Sequence, residues 1–335
     1  MNAYTELIDL ASERLGGTVL YANDDFFAPK ENLLKPAAPV FLEGKYTDRG
    51  KWMDGWESRR RRTPGFDWCI VRLGLPGVIR GVVVDTSFFR GNYPEQCSLE
   101  ACAVDGHPDV ERLTSEATHW TEILPVSGLQ GDSQNPFAIE SNERFTHLRL
   151  RIFPDGGVAR LRVYGDVVPD WHALARRGEI DLAAAENGAL VVTCSDMFFG
   201  HRHNLIMPGR ASDMSDGWET KRRRGPGHDW VVIKLATKGD IQRVEVDTAH
   251  FKGNYPDTCS LEACDAQGKT VDEATISTLS WSEVLPRTKL QAHTRHLYEE
   301  ELKKEGAATH VRFSIYPDGG VSRLRIFGTI SGGED

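Results

Sequence analysis

The chain has 335 residues, a formal net charge of −9, 40% hydrophobic and 27% charged residues. That is the profile of a globular protein of about two domains, and its negative balance argues against nucleic acid as a partner. No apolar stretch approaches the ~20 residues of a membrane-crossing helix, and MNAYTELIDLASERLGG lacks a basic segment followed by an apolar one, so a cytoplasmic protein with no membrane partner is expected.

Along the chain the periodicity is mostly that of strands. Ile8–Arg14, its later counterpart and the charged Leu297–Lys304 are the few stretches with a 3.6-residue pattern. Trp68–Leu73, Val78–Asp85 and Ser98–Val104 read as strands, split by LPG and by RGNYP. In Thr146–Phe153, Leu148, Leu150 and Ile152 alternate with Arg149 and Arg151, which puts the apolar side chains inward and the arginines outward. PDGG then supplies a turn into a second alternating run, Ala159–Tyr164, and a hairpin is expected. A linker, Asp166–Glu179, carries a short helical turn around Trp171–Arg177.

The chain repeats itself. Asp54–Gly106 returns without a gap at Asp216–Gly268 with 30 of 53 positions identical, and these include charged and turn residues that an apolar pattern alone does not specify. Upstream, IDLASERLGG and NDDFF match IDLAAAENGA and SDMFF; downstream, HWTEILP and THLRLRIFPDGGVARLRVYG match SWSEVLP and THVRFSIYPDGGVSRLRIFG. The first copy carries about ten extra residues before Asp54. The expected organisation is a first unit at 1–165, a linker at 166–179 and a second unit at 180–335. Short, evenly spaced strands with turn signals indicate an all-β unit, a β-sandwich or jelly roll, in each copy.

Of the six cysteines, four form the repeated CSLEAC pair. Residues five apart on a strand face opposite ways, so Cys97 and Cys102 do not bridge, nor do Cys259 and Cys264; buried free thiols are expected.

Candidate chemical groups recur in both copies. Acid or base candidates are Asp54, Glu57, Asp85 and Glu100, with their copies Asp216, Glu219, Asp247 and Glu262. Asp85 and Asp247 equally suit an Asx-type turn, and Glu100 and Glu262 are either surface acids or inward ones. Arg60, Arg61 and Arg62 return as Arg222, Arg223 and Arg224, and an Arg fork fits a carboxylate or ureido oxygen, although a solvated basic edge strand reads the same way. Asn92 and Asn254 sit in the GNYP turns, where a rigid sandwich commonly holds binding groups. His147 and His310, each after a Thr, read as structural; His293 and His296 lack a third ligand at a recognisable spacing, so no cofactor is assigned, with a divalent metal left open.

DGWESRRRR, PGFDW, VDTSFFRGNYP, CSLEA and PDGGVARLRVYG, in this order and in both halves, resemble the allantoicase family over nearly the whole chain. The resemblance implies two jelly rolls similar to galactose-binding, discoidin-like domains, a homo-oligomer, and hydrolysis of allantoate to ureidoglycolate and urea. On that reading the arginine runs clamp the small-molecule substrate, and an acid and a base from the candidates above assist loss of urea and attack by water. Two alternatives stand beside it: a non-catalytic tandem jelly-roll module for a small polar or anionic ligand, and a hydrolase or lyase for a related ureido acid.

Overall fold

In the computed structural model, which describes residues 3–266, 268–304 and 306–331, the chain divides into Met1–Val168 and Pro169–Asp335. The first unit lays down β1 (Ile8–Asp9), β2 (Thr18–Ala22), the small hairpin β3 (Tyr46–Thr47) and β4 (Gly50–Lys51), β5 (Trp56–Glu57), β6 (Asp67–Asp85), β7 (Gln96–Cys102), β8 (Thr121–Gly128), β9 (Gln134–Ala138), β10 (Arg144–Phe153), β11 (Gly157–Val158) and β12 (Arg160–Val167). A single turn of helix, α1 (Val110–Thr114), is capped by the Asp109 carboxylate on Arg112 N–H.

The long strand β6 organises the unit. Its first half pairs with β2 and β10, and beyond β10 come β7 and β8; its second half pairs with β9 and β12, and beyond β12 comes β1. One strand therefore serves both layers of a jelly-roll sandwich. Cys69, Val71, Val82, Val84, Leu99, Leu148, Leu150, Ile152, Leu161 and Val163 are buried between the layers, the apolar sets that period-2 alternation assigns to the inside.

The strand pairing departs from the sequence pattern in two places. LPG does not split β6, because Pro76 falls where β10 skips register between Arg72 and Gly77, so its missing N–H costs no ladder bond. The hairpin across PDGG does not form: β10 and β12 pair with opposite ends of β6, and the turn carries the chain from one layer to the other. On the way Gly157 and Val158 pair with Glu57 and Trp56.

The second unit repeats this plan with β13 (Ile180–Asp181), β14 (Leu190–Cys194), β15 (Trp218–Glu219), β16 (Asp229–Asp247), β17 (Thr258–Cys264), β18 (Ser282–Lys289), β19 (Arg295–Tyr298), β20 (Ala308–Tyr316), β21 (Gly320–Val321) and β22 (Arg323–Ile330). The linker helix is α2 (Trp171–Ala175), capped by Asp170 on Ala173 N–H. Neither Ile8–Arg14 nor Leu297–Lys304 is an α-helix. The former is a two-residue strand and a 3₁₀ turn, and the latter begins inside β19, where pairing with β16 overrides the helical pattern. Five cysteines are buried and Cys194 is half-buried, all as free thiols; burial pushes Cys69, Cys97, Cys102 and Cys259 up to about 12, which leaves them unreactive core residues.

Candidate active site

The repeated motifs DGWE, GNYP and PDGG are far apart in sequence and converge on one carboxylate. Trp56 is fully buried, and its indole N–H donates to Asp24 O at 2.8 Å, which fixes β5 against the NDDFF loop. Glu57 exchanges backbone hydrogen bonds with Ala28 on one side and lies opposite Gly157 of β11 on the other. Gly157 N–H donates to Asn92 O at 2.7 Å, and a side chain at Gly157 would collide with the Phe89 ring. These contacts bring the GNYP loop over β5, where Asn92 Nδ2 donates to Glu57 Oε1 at 2.6 Å. The second unit builds the same joint: Trp218 donates to Asp196 O at 2.8 Å, Gly320 N–H to Asn254 O at 2.8 Å, and the Asn254 amide to Glu219.

Glu57 and Asn92 line a cleft of about 320 Å³ with Lys51, Arg90, Phe27 and Phe88. Burial raises the Glu57 carboxyl above its usual range, and the Asn92 hydrogen bond opposes that shift without cancelling it. Such a carboxyl holds its proton at higher pH than a solvated one and suits general acid–base work. Phe88 has φ of 70°, a left-handed conformation that costs a bulky residue energy. It is held there by its N–H donating to Asp132 Oδ1 at 2.7 Å, while Asp132 Oδ2 pairs with Arg90 Nε at 2.9 Å. At the matching place His250 has φ of 69°, and its N–H donates to His293 Nδ1 at 2.7 Å.

The other sequence candidates lie elsewhere. Asp54 is buried beside Arg160, Oδ2 to Nη2 at 2.7 Å, and accepts from Val40 N–H at 3.0 Å. Burial alone would raise its carboxyl, but these bonds and the charges of Arg160 and Lys35 take it below the usual range. Arg160 also donates to the carbonyls of Ala37, Asp54 and Ala159. Asp216 pairs with Arg323 at 3.0 Å, and Arg323 Nε donates to Gly209 O. Asp85 and Asp247 adopt the Asx-type turn, accepting from Ser87 N–H at 2.8 Å and Ala249 N–H at 2.9 Å. Asp85 also lines a second cleft of about 530 Å³ with Arg160 and Arg162, whose guanidiniums already donate to main-chain carbonyls.

Glu100 proves to be an ion-paired acid, bound to Arg149 at 2.5 Å and Arg151 at 2.6 Å, as Glu262 is to Arg312 at 2.6 Å. Within the basic runs, Arg61 pairs with Asp67 at 2.7 Å and its N–H donates to Asp155, and Arg223 pairs with Asp229 and donates likewise to Asp318. Arg60, Arg62, Arg222 and Arg224 carry no such ion pair among the described contacts, and all four are exposed. The cations lining the Glu57 cleft are instead Lys51 and Arg90, which sequence reasoning did not single out.

His147 and His310 are buried, each with Nδ1 against the preceding Thr hydroxyl, and burial lowers both to about 4. His293 and His296 do not share a helix face: His293 sits in a turn and His296 on β19, and each accepts a backbone N–H through one ring nitrogen, from His250 and Gln291.

Comparison with known proteins points one way. The family described as the allantoicase repeat matches residues 8–168 and again 180–331. The chain is 52% identical to a protein from Burkholderia mallei (strain ATCC 23344) named "Probable allantoicase 1", over 96% of this chain and 94% of that one. It is 50% identical to "Probable allantoicase" from Photobacterium profundum, over 97% of each. Among solved structures, allantoicase from Saccharomyces cerevisiae superposes with a TM-score of 0.81 at 38% identity, covering 96% of this chain and 92% of that one.

Proposed function

The chain belongs to the allantoicase family, and from that premise we propose that it hydrolyses allantoate to ureidoglycolate and urea in purine breakdown, with the Glu57 cleft as a site of the reaction. The observation that carries the site is the convergence of three repeated motifs on a half-buried carboxyl whose proton affinity is raised.

Allantoate bears one carboxylate and two ureido groups on a single carbon. Protonated Glu57 gives its proton to one ureido nitrogen as the carbon–nitrogen bond breaks, and urea leaves. The nitrogen lone pair of the remaining ureido group steadies the electron-poor carbon as an acylimine-like species. Water adds to that carbon, and Glu57, now a carboxylate, takes the proton that water sheds. One C–N bond is broken, one C–O bond is formed, and the acid returns to its starting state. Asn92 holds the carboxyl in one orientation throughout, and Lys51 and Arg90 give the cleft a positive rim suited to the substrate's carboxylate. Acid–base assistance of this kind is worth roughly 10²–10⁴-fold.

A homo-oligomeric assembly, which the family resemblance implies, and a cytoplasmic location belong to the same proposal; light scattering of the purified protein and cell fractionation read them out. Among the described residues no helix is long and apolar enough to cross a membrane. The reaction is tested by incubating purified protein with allantoate. Urea and ureidoglycolate in equal amounts are expected, and release of urea only from other ureido acids would replace this substrate.

A further inference from the structure

We infer that Lys51 anchors the substrate's carboxylate in the Glu57 cleft, a device carried by the insertion of the first unit. The inference rests on the Glu57 reading above and adds a specificity residue to it.

The two units enter this region at matched points. Arg160 and Arg162 donate to the carbonyls of Ala37 and Pro36, and Arg323 and Arg325 to those of Gly209 and Met207. From Ala37 to Asp54 the chain runs ten residues further than from Gly209 to Asp216. The additional length forms the β3–β4 hairpin, which places Gly50 and Lys51 on the wall of the cleft.

Lys51 is held in place by aromatic rings. Its Nζ lies 4.4 Å from the centre of the Phe41 ring, a cation–π distance. Phe41 in turn stacks on Phe88 at 5.8 Å with 27° between planes, and Phe88 lines the same cleft. The cleft's other cation, Arg90, is already paired with Asp132 and its side chain is 81% exposed. Lys51 has no carboxylate within ion-pair distance among the described residues. An ammonium fixed over a ring on the wall of the cleft, with the neighbouring Arg90 already paired to Asp132, offers a cation to an anionic substrate. In the second unit the shorter segment, RASDMS, has no lysine and no aromatic residue; its cation, Arg210, pairs with Asp247 at 3.5 Å, and His250, at the place of Phe88, contacts Ala211 O at 3.0 Å.

The test is steady-state urea release from allantoate by the full-length protein and the variants Lys51→Met, Lys51→Arg and Glu57→Gln. Lys51→Met is expected to raise KM roughly tenfold with kcat within about threefold, and Lys51→Arg to recover most of the loss. Because Lys51 is exposed, thermal melts of both variants should match the wild type. If Lys51→Met leaves KM unchanged while Glu57→Gln is inactive, the anchor is overturned and the Glu57 reading stands. A fall in kcat at constant KM also overturns it, since that places Lys51 in the chemistry. Wild-type turnover by Glu57→Gln overturns the reading on which the anchor depends.

Discussion

Asn92 Nδ2 donates to Glu57 Oε1 at 2.6 Å, and the same amide-to-carboxylate bond recurs between Asn254 and Glu219. A strand and a loop far apart in sequence thus meet at the same pair of atoms in both units. The amide favours the ionised form of Glu57 while burial opposes it. Asn92→Ala should therefore move the Glu57 limb of the kcat pH profile upward. Loss of orientation should also lower kcat by about tenfold, the scale of one hydrogen bond to a charged group. Rate profiles of the variant between about pH 5 and 9 check both effects.

Glu57 works against the fold that holds it. Its folded-state pKa is raised, so the folded protein binds the proton more tightly than the unfolded chain. Stability falls as pH rises from the unfolded value through the folded one. Glu57→Gln removes that dependence: its melting temperature should match the wild type near about pH 4 and exceed it at about pH 8. A lower melting temperature on the alkaline side would show that the carboxylate is stabilised by its surroundings.

Asp54 has the opposite sign. Its folded pKa is lowered, so its contribution is present above the unfolded value and is lost as pH falls through the folded one. Asp54→Ala also leaves Arg160 buried without its ion-pair partner, at a cost of about 3–5 kcal/mol. Denaturant unfolding at neutral pH should show that loss, and the wild-type advantage should shrink on acidification below about pH 4.

Gly157→Ala tests the joint between the PDGG and GNYP loops. A methyl group there meets the Phe89 ring, so the loops must part, at a cost of about 1–3 kcal/mol. Activity should fall further than stability alone explains, because Gly157 N–H positions Asn92 through its carbonyl. Comparing kcat with denaturant midpoints for this variant checks the difference.

Much of the fold was legible in the sequence. The duplication is written in identical charged and turn residues, and the alternation in Thr146–Phe153 predicts which side chains are buried. Pairing was less legible. PDGG has hairpin chemistry, yet β10 and β12 bind opposite ends of β6, and no local signal records that a 19-residue strand spans two layers. In the site, Glu57 and Asn92 could be picked out as repeated polar residues at a strand and a turn. Their partners could not: Lys51 belongs to the unrepeated insertion, and Arg90 becomes Lys252 in the copy. The repeated RLR of Arg160–Arg162 and Arg323–Arg325 was the overlooked signal. Buried Arg160 and Arg323 bind main-chain carbonyls there and hold the segments before Asp54 and Asp216.

In the proposed reaction Glu57 supplies the proton that allows urea to leave. Single-turnover urea release from allantoate by Glu57→Gln, with circular dichroism and melting unchanged or improved, measures it directly. A rate lower by roughly 10²–10⁴-fold is predicted. A folded Glu57→Gln protein that releases urea at the wild-type rate would contradict that role for Glu57.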